Sequence, residues 1–305
     1  MPQVAEPREK TSVELTKRVS LTKILVTTDF SEASDRALDY AIALARRYDA
    51  RIYLTHVLTP DPFQFAEPQL AQVTYEKVRQ VAEEGITDIL ISGKLRGVPH
   101  EVLLDEGNVW PTLETLIAKH EIDLVVCGTH GRGKLQKMLI GSVAEEIFRQ
   151  ADTAVLTVGP AVKSDMPKEI ELGHILFSTG FGPGAVKAAA YAFSLAQEHN
   201  ASLTLLHVIE SGAAYIEERV ARQREINIVR MKKLMPADSE NWCKPEFRVT
   251  FGSAVEEILI SARESKADLI VMGAKTRRSL AGHVPLTIAY HVVTKSTCPV
   301  LTVRG

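Results

Sequence analysis

Three cysteines in 305 residues leave little room for disulfide or cysteine–metal chemistry. Cys127, Cys243 and Cys298 are widely spaced and odd in number, with no Cys-x-x-Cys among them, so they read as reduced core thiols of a cytoplasmic protein. The nine histidines include no His-x-x-x-His pair and no Cys/His cluster, which removes the usual structural-metal patterns. A surplus of charge is missing too: 36 basic residues face 38 acidic ones, for a net −2, so there is no field to hold a polyanion and nucleic acid is not an expected partner. No apolar run approaches the ~20 residues that span a bilayer, so no membrane is expected either. Residues 1–19 are polar and charged and lack the apolar centre of a secretory signal. They read as a flexible extension.

What is present is a chain that is 45% hydrophobic and long enough for two domains of ordinary size. Lys23–Thr28 is a short apolar run ending at Asp29, suited to a buried parallel strand. Ser31 and Ser34 can cap the helix that follows, in which Ala37, Leu38, Ala41, Ile42, Leu44 and Ala45 recur at helical spacing. A second strand reads Arg51–Val57, a charged helix runs from about Gln69 to Glu84, a third strand lies near Glu101–Leu104, and a helix runs from about Val109 to His120. The run Asp123–Cys127 and a last strand, Ala154–Val158, complete an alternation of strands and helices. Such alternation implies βαβ units on a parallel sheet.

After a polar linker at 161–172 the order repeats. His174–Thr179 mirrors the first strand at an offset of 151, and Tyr191, Ala192, Leu195 and Ala196 fall on Tyr40, Ala41, Leu44 and Ala45. Beyond the second strand the offset becomes 145: Gly252 matches Gly107, Asp268 matches Asp123 and Gly273 matches Gly128. Val300–Val303 closes the second copy as Val155–Val158 closed the first. The organisation expected is therefore a first domain at 20–160 and its duplicate at 173–305.

The chemistry concentrates in Gly128-Thr129-His130-Gly131-Arg132-Gly133, followed after seven residues by Gly141-Ser142-Val143. A strand leads into it and a helix opens out of it. Glycines let the backbone approach a bulky anion, and the helix start offers unpaired N–H groups and the positive end of its dipole. Ser142 can act as N-cap or lend its hydroxyl to a phosphate oxygen. No Gly-Lys-Ser/Thr closes the loop, so this is not a Walker site. In an open α/β sheet of order 3-2-1-4-5 the ligand crevice lies between strands one and four. Thr28, Asp29 and Val57 stand at that lip with the glycine loop. Asp29 could accept hydrogen bonds from a ribose hydroxyl or an adenine amino group, or could only cap the first helix. Val57 could lend its main chain to a base, or be a core residue. His130, Arg132 and Lys134 could meet a ligand, or be solvated. His56 recurs at His207, which points to packing or a backbone hydrogen bond.

The second copy departs from this pattern. Asp29 is replaced by Gly180, Gly131 by Thr276 and Gly141 by Leu286; Thr287 alone keeps the hydroxyl of Ser142. Lys275, Arg277 and Arg278 add charge, but side chains stand where bare backbone should meet phosphate.

Gly128, two residues, Gly131, nine residues, then Gly141-Ser142 resembles the nucleotide signature of the ATP-binding branch of the universal stress protein family, and the two halves together resemble a tandem member. That resemblance implies two Rossmann-like or flavodoxin-like domains, each a five-stranded parallel sheet of order 3-2-1-4-5 with helices on both faces. It implies an adenosine contact at Asp29, a backbone contact to adenine at Val57, and a triphosphate held by Gly128, Gly131, Gly141 and Ser142. It also implies ATP as ligand with Mg2+ as a common companion, although no carboxylate pair for a metal is visible. Family members pair through their last strands, which here could join Ala154–Val158 to Val300–Val303 as an intramolecular pseudo-dimer, with a homodimer as a further option. The expected function is ATP-binding regulation in a stress response, with no nucleophile–base pair at the lip to support catalysis. Two alternatives stand beside it: a slow ATPase or other nucleotide-handling enzyme, and an interaction scaffold that needs no nucleotide.

Overall fold

The computed structural model describes residues 19–59, 68–129, 141–162, 170–210, 217–237, 239–274 and 288–305. Its contacts form two compact units. The N-terminal unit comprises Ser20–Glu171 with Thr276–Arg304, and the C-terminal unit is built on Leu172–Lys275.

In the N-terminal unit β1 (Lys23–Thr27), β2 (Arg51–Leu58), β3 (His100–Glu106), β4 (Leu124–Gly128) and β5 (Ala154–Val158) lie in the order β3-β2-β1-β4-β5, all parallel. Ile24, Leu25, Val26, Val125 and Val126 are fully buried at its centre, as their unbroken apolar runs require of strands covered on both faces. Strand order moves one way from β1 to β3 and the other way from β3 to β5. Right-handed crossovers then set α1 (Glu32–Tyr48) and α2 (Pro68–Ile91) on one face, and α3 (Val109–His120) and α4 (Ser142–Gln150) on the other. The topological switch falls between β1 and β4, where the sequence places the crevice.

Helix α1 begins as Ser31 and Ser34 suggest. The Ser31 hydroxyl accepts the Ser34 N–H and the Ser34 hydroxyl accepts the Ser31 N–H, a reciprocal capping box. Its predicted stripe of Ala37, Leu38, Ala41, Ile42, Leu44 and Ala45 is buried throughout. Helix α2 runs to Ile91 rather than ending near Glu84. Gly85 sits inside it because a Cβ there would lie 2.7 Å from the Phe30 ring, so the bare residue allows contact instead of breaking the helix.

The C-terminal unit repeats the plan with β6 (His174–Ser178), α5 (Ala185–His199), β7 (Ser202–Ile209), α6 (Glu217–Lys232), β8 (Glu246–Phe251), α7 (Ala254–Glu264) and β9 (Leu269–Ala274), in strand order β9-β6-β7-β8. The last helix and strand of the second copy, α8 (Ile288–Lys295) and β10 (Val300–Arg304), belong by their contacts to the N-terminal unit. There β10 pairs antiparallel with β5 in the register Val300↔Thr157, Leu301↔Leu156, Thr302↔Val155. This is the pairing expected between the two last strands.

The duplication reaches down to strained backbone. Among the described residues, left-handed φ angles fall at Phe30 and Phe181 (62° and 57°), Asp49 and Asn200 (52° and 51°), and Glu121 and Lys266 (both 51°). Each pair stands at the offset of 151 or 145 read from the sequence. Non-glycine residues adopt this conformation at a cost, so its return at matched positions marks a copied chain path.

Candidate functional site

The lip begins where β1 ends. Thr28 is buried; its N–H donates to Thr55 O at 2.9 Å and its carbonyl lies 2.7 Å from His56 Nδ1. Its hydroxyl accepts the Phe30 N–H at 3.0 Å, and Phe30 turns into the left-handed region with its ring tilted over His56, centroids 4.7 Å apart. The same construction recurs around Thr179, Phe181 and His207, with distances of 2.8 Å to the carbonyl, 3.0 Å to the Phe181 N–H and 4.6 Å between rings. The two histidines therefore lock the strand end, the structural role their recurrence implied. Phe30, which the sequence reading passed over, is the residue around which the lip turns. Its recurrence as Phe181 was the signal available.

Asp29 stands half-buried between them, and its Oδ1 accepts the Ser31 N–H at 3.1 Å. The N-cap of α1 is Ser31, so Asp29 steadies the capping residue and is not itself the cap. Val57 is half-buried. Ile52 N to Pro99 O and Gly107 N to Leu58 O turn the even positions of β2 toward β3, while Thr28 N to Thr55 O turns the odd ones toward β1. The main chain of Val57 consequently faces the side of β1, beyond the last register pair, Thr27↔Thr55. That is where a planar base could meet it.

Gly128 ends β4 against the start of α1. A Cβ there would lie 2.6 Å from both the carbonyl carbon and the oxygen of Ala33. The missing side chain thus serves helix-on-strand packing, a requirement independent of any ligand. Gly273 meets Gly184 in the same way but less tightly, at 3.1 Å. Thr129 is fully buried; its N–H donates to Val158 O at 3.1 Å, and its carbonyl accepts the Gly141 N–H at 2.6 Å. The two ends of the glycine-rich segment are thereby tied together. His130, Gly131, Arg132 and Gly133, with Lys134, lie outside the described residues.

Helix α4 opens at Gly141, with φ −61° and ψ 151°, and no side chain caps it. The helix opens at Ser142 as expected, and of the two roles open to that residue in the sequence, N-cap or hydroxyl lent to a phosphate oxygen, the first falls to Gly141. Glycine can take the extended cap conformation, which leaves the serine hydroxyl exposed on the first turn. Val143 follows, half-buried. The first-turn amides have no partner within the helix. The structure thus brings Thr28, Asp29, Val57, Gly128, Thr129, Gly141, Ser142 and Val143 to the C-terminal ends of β1, β2 and β4 and the start of α4.

The second copy differs in its described parts. Gly180 replaces Asp29, and a Cβ there would meet nothing within 4 Å. Gly184 caps α5 without a side-chain bond, so the capping box is lost. Arg230 stands at the position of Gly85, its guanidinium 3.8 Å from the centre of the Phe181 ring. The sequence offered no sign of this, because the ring it covers is 49 positions earlier. Burial holds the His207 imidazole below its ordinary value; the bond to Thr179 O opposes this and the Arg230 charge adds to it. A histidine depressed in the fold takes up its proton more readily when unfolded. Its contribution is thus intact above about pH 6.5 and declines as pH falls through that value. NMR titration should place the His207 midpoint below 6.5, and Arg230→Ala should raise it. A midpoint above 6.5 would contradict the geometry.

For covalent chemistry the described residues offer little. The Cys127 thiol is buried and pushed up to about 12 by desolvation, which leaves it inert. Cys243 and Cys298 are buried as free thiols. Among the described residues no group of three His, Cys, Asp or Glu side chains could hold a metal ion, and no helix is long and apolar enough to cross a membrane.

Comparison with known proteins bears on the whole arrangement. The sequence profile of the universal stress protein family matches residues 20–159 and again 171–304. A universal stress protein of Mycolicibacterium smegmatis is 25% identical over 307 residues, covering 92% of this chain and 96% of its own. One from Methanocaldococcus jannaschii is 29% identical over 137 residues, 45% of this chain and 81% of its own. Among solved structures, a universal stress protein from Archaeoglobus fulgidus superposes with a TM-score of 0.69 at 20% identity, covering 92% of this chain and 98% of that one, which speaks to fold. With both halves matched by one family and both built on its α/β plan, the chain belongs to the universal stress protein family and carries two copies of its domain.

Proposed function

We propose that the N-terminal unit binds an adenine nucleotide, with ATP the best fit, and that the second copy serves as its structural partner in a regulatory protein of the stress response. The observation that carries this reading is the start of α4. A helix opens at an uncapped glycine beside the β1–β4 switch point, the Thr129–Gly141 bond ties off the intervening segment, and the half-buried Asp29 and outward main chain of Val57 stand across the strand ends. Polyphosphate suits the helix dipole and the first-turn amides, which have no partner within the helix. The ribose or base edge suits Asp29, and the base suits Val57. The residues fit ATP in this way. For Mg2+ they supply no cluster among those described, so the nucleotide itself would be the main source of its ligands.

Among the described residues the lip holds no activated nucleophile, and the reading is of a nucleotide-dependent change in shape or association, which requires unequal affinity for two states. The domain boundaries that follow are 20–160 and 173–305, with the second copy's last helix and strand completing the first unit as an intramolecular pair. Titration calorimetry with ATP tests the site. Gly141→Leu, which installs the residue the second copy carries at Leu286, should weaken binding at least tenfold with the thermal midpoint little changed. Unchanged affinity would remove α4 from the site. Absence of ATP binding by the unaltered protein would favour a nucleotide-independent scaffold.

A further inference from the structure

Helix α2 reaches the lip through a close backbone contact. Phe30 holds a left-handed φ of 62°, a conformation that costs a phenylalanine energy and persists only where its surroundings over-determine it. Three contacts do so here. Its N–H donates to Thr28 Oγ1 at 3.0 Å, and its ring is tilted over His56. The same ring lies against the backbone of α2 at Gly85, where an added Cβ would stand 2.7, 2.8 and 2.9 Å from three ring carbons. Only a hydrogen fits between that helix and that ring. Ala82 and Ile86, in the same turn as Gly85, are buried, so α2 is seated on its unit at this point.

Asp29 is bracketed by this arrangement. Thr28 before it is tied by its N–H to Thr55 O and by His56 Nδ1 at its carbonyl, and Phe30 after it is fixed by the ring contacts. The Asp29 carboxylate accepts the Ser31 N–H at 3.1 Å, one residue past Phe30. A displaced Phe30 ring therefore turns the peptide units that carry both the Asp29 side chain and its partner. The second copy provides an internal comparison. It keeps the left-handed Phe181 and the histidine beneath it, His207, but has Gly180 in place of Asp29 and Arg230 in place of Gly85. There the ring is met by a guanidinium, 3.8 Å from its centre. The acid at the lip and the bare helix residue against the ring occur together in one copy and are replaced together in the other.

We propose that Gly85 of α2 is a positioning residue of the nucleotide site, which through the Phe30 ring holds the Asp29 carboxylate where the ligand meets it. This rests on the reading of Asp29 as a nucleotide contact and adds the element that responds to it. Coupling between two places is reciprocal: if the seat of α2 sets the affinity at Asp29, nucleotide drawn to Asp29 must in turn tighten the seat of α2. A regulatory protein needs such an element, and α2 is the one that touches the lip without belonging to the phosphate cradle at α4.

Calorimetric titration of the full chain with ATP, read as a double-mutant cycle, tests this. Asp29→Asn should weaken ATP about tenfold, and Gly85→Ala, whose Cβ displaces the ring, should do the same. In the Asp29→Asn background Gly85→Ala should cost less than about twofold, because the group it acts through is already gone. Where Gly85→Ala fails to fold, Phe30→Asn makes the same comparison, since asparagine tolerates the left-handed angle and withdraws the ring. Amide exchange over Ala82–Ile91 should slow when ATP saturates the unaltered chain and should not slow when it saturates Asp29→Asn. If ATP does not bind, or Asp29→Asn leaves its affinity unchanged, the reading of the site falls and the proposal with it. If Asp29→Asn weakens ATP while Gly85→Ala does not, the proposal alone falls. It also falls if Gly85→Ala costs the same in both backgrounds, which would mean a general loosening of the unit, or if exchange in α2 is indifferent to ATP.

Discussion

Gly128→Ala is expected to destabilise the ligand-free protein by about 3 kcal/mol or more, because the added carbon would sit well inside contact distance of backbone and no flexible side chain can yield. The neighbours are the carbonyl carbon and oxygen of Ala33 at 2.6 Å, in the first turn of α1. Relief would require α1 to lift from β4, taking with it Ser34 and the capping box that orders Asp29, Phe30 and Ser31. For a unit of this size the thermal midpoint should fall by roughly 6–12 °C. Gly273→Ala, whose closest neighbour is 3.1 Å away, should cost less than about 1 kcal/mol. Scanning calorimetry of both variants without nucleotide decides between two readings of the first glycine in the signature. If Gly128 serves only the approach of phosphate, its alanine variant will keep its midpoint and lose ATP alone. The structure argues for packing first, and so for a variant that loses both.

That distinction marks where sequence reading succeeded and where it could not reach. Strand runs such as Lys23–Thr27 and Ala154–Val158 were legible because both faces of a parallel strand are buried, which leaves an unbroken apolar signature. The Ser31–Ser34 cap was legible because its logic is local. The end of α2 was not: Gly85 looks like a stop, and only the Phe30 ring, far back in the chain, explains why the helix continues. Whether Ser142 capped α4 or only began it stayed open in the sequence because glycine and serine both make acceptable N-caps, and the backbone angles of Gly141 decide between them. Arg304 shows the same limit at longer range. A basic residue near a chain end ordinarily reads as solvated, yet it is 5% exposed, and a guanidinium N–H donates to Phe148 O on the last turn of α4. The glycine-rich segment itself was read from spacing, with only its ends, Thr129 and Gly141, described in three dimensions. What propensity and period cannot see is consistently a contact between residues distant in sequence.

The same long-range dependence makes truncation the most disruptive change available. A chain ending before Ile288 should fail to hold its N-terminal unit as a folded monomer, although every residue of the first sequence copy is still present. The lost segment carries the buried side chains of Tyr290, Val292, Val293, Val300, Leu301 and Val303 and belongs to that unit by its contacts. At about 1.5–3 kcal/mol for each large apolar side chain, this burial rivals the 5–15 kcal/mol net stability of an ordinary domain. Phe148 would lose its edge contact with Tyr290 and the Arg304 donor at its carbonyl together. β5, now paired on both sides, would become an open edge along Val155, Leu156 and Thr157. An apolar strand edge of that kind recruits another chain. Light scattering after size exclusion should therefore find the truncated protein paired or aggregated, with rapid proteolysis near β5, where the full chain resists. A truncated protein that stays single and melts at the original temperature would mean that β10 merely rests on the first unit. Retained ATP affinity in a truncated chain that has paired with itself would instead show that any antiparallel partner at β5 suffices, and that the second copy's contribution to the nucleotide site is the strand it supplies.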